Sequence, residues 1–141
     1  MVVGVDGSNA SRRALEWAVS EARRRGADLE AVISWDAPYT TSPFAPVVDV
    51  GRDLERAARE QLLQTLATVD CSELNRPVIV TVAHGPAGPV LTEAAAGAEL
   101  LVVGSRGLGG FKELLLGSVG QHVAHMAPCP VIVIRPGGAT P

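Results

Sequence analysis

Residues 102–121 read VVGSRGLGGFKELLLGSVGQ, and the parsing of this stretch decides the fold. Val102 and Val103 finish an apolar run, and then Gly104, Gly107, Gly109, Gly110, Gly117 and Gly120 follow within one crossover. A strand ends at Val103, and Ser118 is the residue expected to open the next helix. Glycine carries no Cβ, so such a loop lets backbone approach a bulky ligand closely. Amides in a glycine-rich loop and at a helix start together form an anion site suited to phosphate. Turning the chain is the competing explanation, but it needs fewer glycines. Two common nucleotide motifs are absent: GxGxxG fails at Gly104-Ser105-Arg106, and GxxxxGK[ST] fails because no lysine precedes Ser118.

Outward from this stretch, apolar runs alternate with helical patterns. Residues 1–5 form a short run stopped by Asp6-Gly7-Ser8, which reads as a buried strand feeding a turn. Ser8, Asn9 or Ser11 caps the next helix. Along it Ala14, Ala18 and Ala22 share a face, Arg12, Arg13, Glu16, Glu21 and Arg23 to Arg25 mostly face outward, and Gly26 stops it in a left-handed cap. The second strand is 29–35, and Trp35 at its end either roofs the core or packs against a base. Prolines at 38, 43 and 46 forbid a regular helix across 36–48 and suggest a loop over a pocket mouth. From Asp49, Leu54, Ala58, Leu62 and Leu66 recur every fourth residue, as on a helix packed on one side.

The third strand is 77–82, followed by a turn through His84-Gly85-Pro86 and a helix holding Val90, Leu91, Ala94 and Ala95. The fourth is 100–103. The last helix is expected to turn Val119, Val123 and Met126 inward, leaving His122 and His125 as surface or partly packed imidazoles. The fifth strand is 131–134, VIVI. Five continuous apolar runs alternating with four helices are the mark of a parallel sheet covered on both faces. Strand 131–134 has no proline or charge inside it, so at a sheet edge it would invite pairing, and a homodimer through it is expected.

The spacing Gly-x2-Gly-x9-Gly-Ser after VVG resembles the ATP-binding type of the universal stress protein family. So do MVVGVDGS at the start and HVAHMAPCPVIVIRP near the end, which are similar to that family's first strand and loop and to its last helix and strand. The resemblance implies a three-layer α/β sandwich of the adenine nucleotide alpha hydrolase-like type. Its five-stranded parallel sheet would run in the order 3-2-1-4-5, as a single domain over 1–136 with a flexible tail at 137–141. It implies ATP at the switch between strands 1 and 4, where such sheets bind ligands. The site residues so implied are Val5, Asp6, Trp35, Val103, Gly104, Arg106, Gly107, Gly117, Ser118 and Val119. Amides of Gly107 and of the 117–119 turn, with the Ser118 hydroxyl, would hold the triphosphate, and Arg106 or Lys112 would partly replace the absent lysine. Adenine would lie near Trp35 and Val103, with Asp6 toward the ribose. Mg²⁺ would accompany the phosphates, bound by them more than by protein.

The same resemblance implies that strand 131–134 pairs with its twin across a two-fold axis. It points to a nucleotide-responsive module of stress physiology with an unknown protein partner. At most slow ATP hydrolysis is expected, because no acid or histidine in the loop is assigned to orient water. An ATP-independent dimerising or partner-binding protein and a small ATPase or phosphotransferase are the alternatives. The family includes tandem pairs of domains, and the abrupt start at Met1 is compatible with one half of such a pair.

Composition bounds the rest. The chain has 141 residues, 47% hydrophobic and 19% charged, which fits one globular domain with a real core. A formal charge of -3 gives no broad attraction to nucleic acid or an anionic membrane surface. No apolar stretch reaches the ~20 residues that span a bilayer, and a cytoplasmic location is the simplest expectation. Cys71 and Cys129 lack CxxC spacing or a histidine-acid arrangement and read as structural.

Overall fold

The computed structural model describes residues 1–37, 50–108, 115–135 and 137. The expected loop at 36–48 from residue 38 on, Gly109, Gly110, Lys112 and all of the expected tail except Gly137 lie outside the described residues. Along the chain run β1 (Val2–Gly4), α1 (Asn9–Arg25), β2 (Glu30–Trp35), α2 (Val50–Ala67), β3 (Ile79–His84), α3 (Ala87–Ala94), β4 (Leu101–Gly104), α4 (Ser118–Met126) and β5 (Val131–Ile134). The strands form one parallel sheet in the order β3-β2-β1-β4-β5, as expected. Only element ends shift: β3 starts and finishes two residues later than the sequence suggested, and α3 begins at Ala87, with Gly88 and Pro89 inside its first turn.

Strand alternation divides the core in two. Val3, Val5, Ala31, Ile33 and Val102 point to one face and meet Ala14, Leu15, Ala18 and Ala22 of α1 and Ala58 and Leu62 of α2. Val2, Val32, Leu101 and Val103 point to the other and meet Leu91 and Ala95 at α3 and Val123 of α4. Leu15, Leu62 and Leu101 are fully buried, and each contributes about 1.5–3 kcal/mol relative to an exposed side chain. Helices α1 and α2 fall on one face and α3 and α4, which flank β4, on the other, because right-handed crossovers change sides when the chain reverses direction along the sheet.

Two helix expectations are corrected. Glu21 is buried rather than outward, ion-paired with Arg24 and Arg25 one turn on. Met126 is 60% exposed rather than inward. The packed stripe of α4 is Gly120, Val123 and then Ala127, spaced three and four. Met126 therefore lies about 100° of helix rotation away from the stripe's last member.

Candidate functional site

At the carboxyl ends of β1 and β4, where the chain departs to opposite faces of the sheet, lies a cavity of about 460 Å³. That volume suits a small-molecule ligand, and its place is the crevice where open parallel sheets bind. On the β2 and α3 side its wall is Val32, Ser34, Ala87 and Leu91, with Val103 from β4. On the β4 and α4 side it is Ser105 to Leu108 and Gly117 to Gly120, and Gly4, Val5, Asp6 and Ser11 close it from β1 and α1.

The two helices that start here differ in one respect. Helix α1 is capped: the Ser11 N–H donates to Ser8 Oγ at 3.1 Å, and Ser11 Oγ donates back to the Ser8 carbonyl at 3.0 Å. Helix α4 has Gly117 at its N-cap, with no side-chain cap bond and no acid in its first turn. Ser118 opens the helix as expected, as its first helical residue, with Gly117 in the cap position. The Gly117 N–H is also spent, because it donates to the Ser105 carbonyl at 2.8 Å. The amides left at this end are those of Ser118, Val119 and Gly120, at the positive end of the helix dipole.

Asp6 ties the two sides together. Its Oδ1 accepts from the Ser8 N–H at 2.9 Å, and its Oδ2 accepts from the Leu108 N–H at 3.3 Å, joining the β1 loop to the β4 loop across 102 residues of chain. Gly107 is held against this carboxylate, where a Cβ would collide with Oδ2. Gly104 has a different reason: a Cβ there would lie 2.7 Å from the Ala10 backbone carbon, so glycine lets α1 approach β4. At Gly117 a Cβ would meet nothing closer than 3.5 Å, and φ is -72°, so neither packing nor backbone demands glycine. What lies in front of Gly117 is the cavity.

Nine of the ten residues singled out in the sequence line this cavity: Val5, Asp6, Val103, Gly104, Arg106, Gly107, Gly117, Ser118 and Val119. Trp35 does not. It follows Ala31 and Ile33 onto the opposite face, packs against the α1 and α2 core, and sets its ring 4.4 Å from that of His84. The β2 residue that reaches the cavity is Ser34, one position earlier. Sequence reading also passed over Ser105. It is 1% exposed, lines the cavity, and its Oγ has no hydrogen-bond partner among the described residues. The signal for both was strand periodicity: Ser34 shares parity with Val32, and Ser105 with Val103.

Among the described residues no three His, Cys, Asp or Glu gather as a metal site, and Asp6 is the only acid on the cavity wall. No helix there is long and apolar enough to cross a membrane.

Comparison with known proteins places this arrangement in context. Universal stress protein Rv2624c of Mycobacterium tuberculosis (strain ATCC 25618 / H37Rv) is 38% identical over 135 residues, covering 96% of this chain and 47% of that protein. The chain thus spans about half the length of that relative. Among solved structures, universal stress protein UspA from Lactobacillus plantarum superposes with a TM-score of 0.74 at 31% identity over 95% of each chain. A universal stress protein in complex with cAMP superposes with a TM-score of 0.60 at 26% identity over 95% of this chain and 94% of that one. The Universal stress protein family model matches residues 1–135, and with this fold and these relatives the chain belongs to the universal stress protein family.

Proposed function

We propose that the protein is an ATP-binding, nucleotide-responsive homodimer. The observation that carries this reading is the uncapped N-terminus of α4 opening into a cavity at the reversal of strand order, with an apolar wall on the β2 and α3 side. Adenine lies against Val32, Leu91 and Val103 with Ser34 at its edge, and the phosphates lie on the amides of Ser118, Val119 and Gly120 beside Arg106. The cAMP carried by a structural relative shows that an adenine nucleotide is bound by another member of the family. Mg²⁺ accompanies the phosphates, which supply most of its ligands, since one carboxylate is poor support for a protein cage. Hydrolysis is slow at most, because Asp6 has both oxygens engaged in holding Ser8 and Leu108.

Dimerisation uses β5. It is at the sheet edge, and its four apolar residues are only half-buried. A domain of this kind works in the cytoplasm as a single unit over 1–136, changing its surface when nucleotide occupies the crevice.

Titration calorimetry with ATP, ADP, AMP and cAMP tests the reading. Binding of ATP that weakens at least tenfold when Gly117 and Ser118 are both replaced by glutamate is the expected result. Tighter binding of cAMP than of ATP would replace the ligand, and no binding of any of the four would reject the site.

A further inference from the structure

We infer that Ser105 is a phosphate-binding residue, its Oγ–H donating to a phosphoryl oxygen seated beneath the α4 N-terminus. The inference deepens the nucleotide reading and rests on it. Ser105 follows Gly104 at the end of β4, with the same parity as Val103, whose side chain points to the α4 face. Its backbone is fixed on both sides. The Ser105 N–H donates to the Ile134 carbonyl at 2.8 Å, and its own carbonyl accepts from the Gly117 N–H at 2.8 Å. That second bond puts the side chain beside the first turn of α4, whose amides face the same cavity.

Ser105 is 1% exposed, and its hydroxyl is buried with no partner among the described residues. A buried unpaired hydroxyl opposes folding, whereas alanine of nearly the same shape carries no such cost. Serine in this place is accounted for when a ligand supplies the missing acceptor. Phosphate does so, because the neighbouring helix end favours an anion and a phosphoryl oxygen accepts a strong, charge-assisted bond. Adenine does not, because the apolar wall that suits it is on the β2 and α3 side of the cavity.

The test is the variant Ser105→Ala, measured for thermal stability without ligand and for affinity toward ATP, inorganic tripolyphosphate and adenosine. The inference expects opposite signs: the unliganded variant melts at or above the wild-type temperature, while ATP and tripolyphosphate weaken by about 10- to 100-fold and adenosine by less than about twofold. A purely structural serine would lower the melting temperature and weaken all three ligands together, which would overturn the inference. So would ATP affinity equal to wild type. A wild-type protein that binds neither ATP nor tripolyphosphate would fail the nucleotide reading itself, and the two failures are therefore distinct. Ser105→Thr keeps the hydroxyl, and recovery of tripolyphosphate binding in that variant supports the assignment, whereas the alanine level of binding there counts against it.

Discussion

Two glycines on the same cavity wall are present for opposite reasons, and giving each a methyl group separates them. At Gly104 the added Cβ would lie 2.7 Å from the Ala10 carbonyl carbon and 2.9 Å from its Cβ. These are atoms of a packed helix that cannot swing aside like a long side chain. Overpacking of this kind costs about 1–3 kcal/mol. For a chain of this length each kcal/mol moves the melting temperature by about 4 °C, so Gly104→Ala is expected to melt about 4–12 °C lower. At Gly117 the nearest atoms are 3.5 and 3.6 Å away, which is ordinary contact. Alanine there is a poorer N-cap than glycine by about 0.5–1 kcal/mol, and it restricts the unfolded chain by about 0.4–1 kcal/mol in the stabilising direction. These terms offset, so Gly117→Ala should melt within about 2 °C of wild type and lose ATP affinity by about tenfold. Differential scanning calorimetry and titration calorimetry on the two variants supply the four numbers. Gly104→Ala melting like wild type would refute the close-approach argument. Gly117→Ala with unchanged ATP affinity would refute the claim that this glycine makes room for ligand.

Three further outcomes follow from features away from the cavity. Arg25 and then Arg24 hold the Glu21 carboxyl below its ordinary value of 4.5 against the opposing effect of burial. A depressed folded-state pKa adds stability above the unfolded value that is lost as pH falls through the folded one. The drop in melting temperature between about pH 5 and pH 3 should therefore be shallower in Glu21→Gln, and an identical slope would count against this ion pair as a source of acid sensitivity. Burial pushes the thiols of Cys71 and Cys129 up, Asp70 adding to the effect at Cys71. Both should react with an aromatic disulfide reagent much more slowly at pH 8 in the folded protein than in denaturant, and equal rates would contradict that. In β5 the carbonyls of Pro130 and Ile134 face β4, so the backbone groups of Val131 and Val133 face the open edge. Val133→Pro should convert the proposed dimer to a monomer in sedimentation at micromolar concentration, and a dimer that persists in this variant would exclude pairing through this edge.

The order of elements and the sheet were legible because buried parallel strands are continuous apolar runs, and five of them stand between helical stripes. Gly26 is found in the left-handed cap conformation that its place after Arg25 suggested, at φ 62°. The same continuity hid the orientation of side chains. A strand covered on both faces has no polar side to mark which face meets the ligand, so Trp35 could be set beside a base when it belongs to the opposite core. Ser105 was hidden by its neighbours, since a serine between Gly104 and Arg106 in a glycine-rich stretch reads as loop chemistry. Its burial became visible only when the Ile134 and Gly117 contacts placed it under α4. The role of Asp6 was partly legible: a turn was evident in Asp-Gly-Ser, but its bond to Leu108 depends on two segments 102 residues apart meeting.

The sheet has a seam. Strand β1 matches β4 over two residue pairs, Val2 with Leu101 and Val3 with Val102, against six pairs between β2 and β3 and four between β4 and β5. Helix α1 splints that seam from one side, packing on both β1 and β4, while the other side at the strand ends is the cavity. A molecule lodged there touches both halves and becomes a second splint, so occupancy resists the parting of β4-β5 from the rest most directly. Slowed amide exchange in β4 and β5, ahead of β2 and β3, is the mechanical trace such a brace would leave.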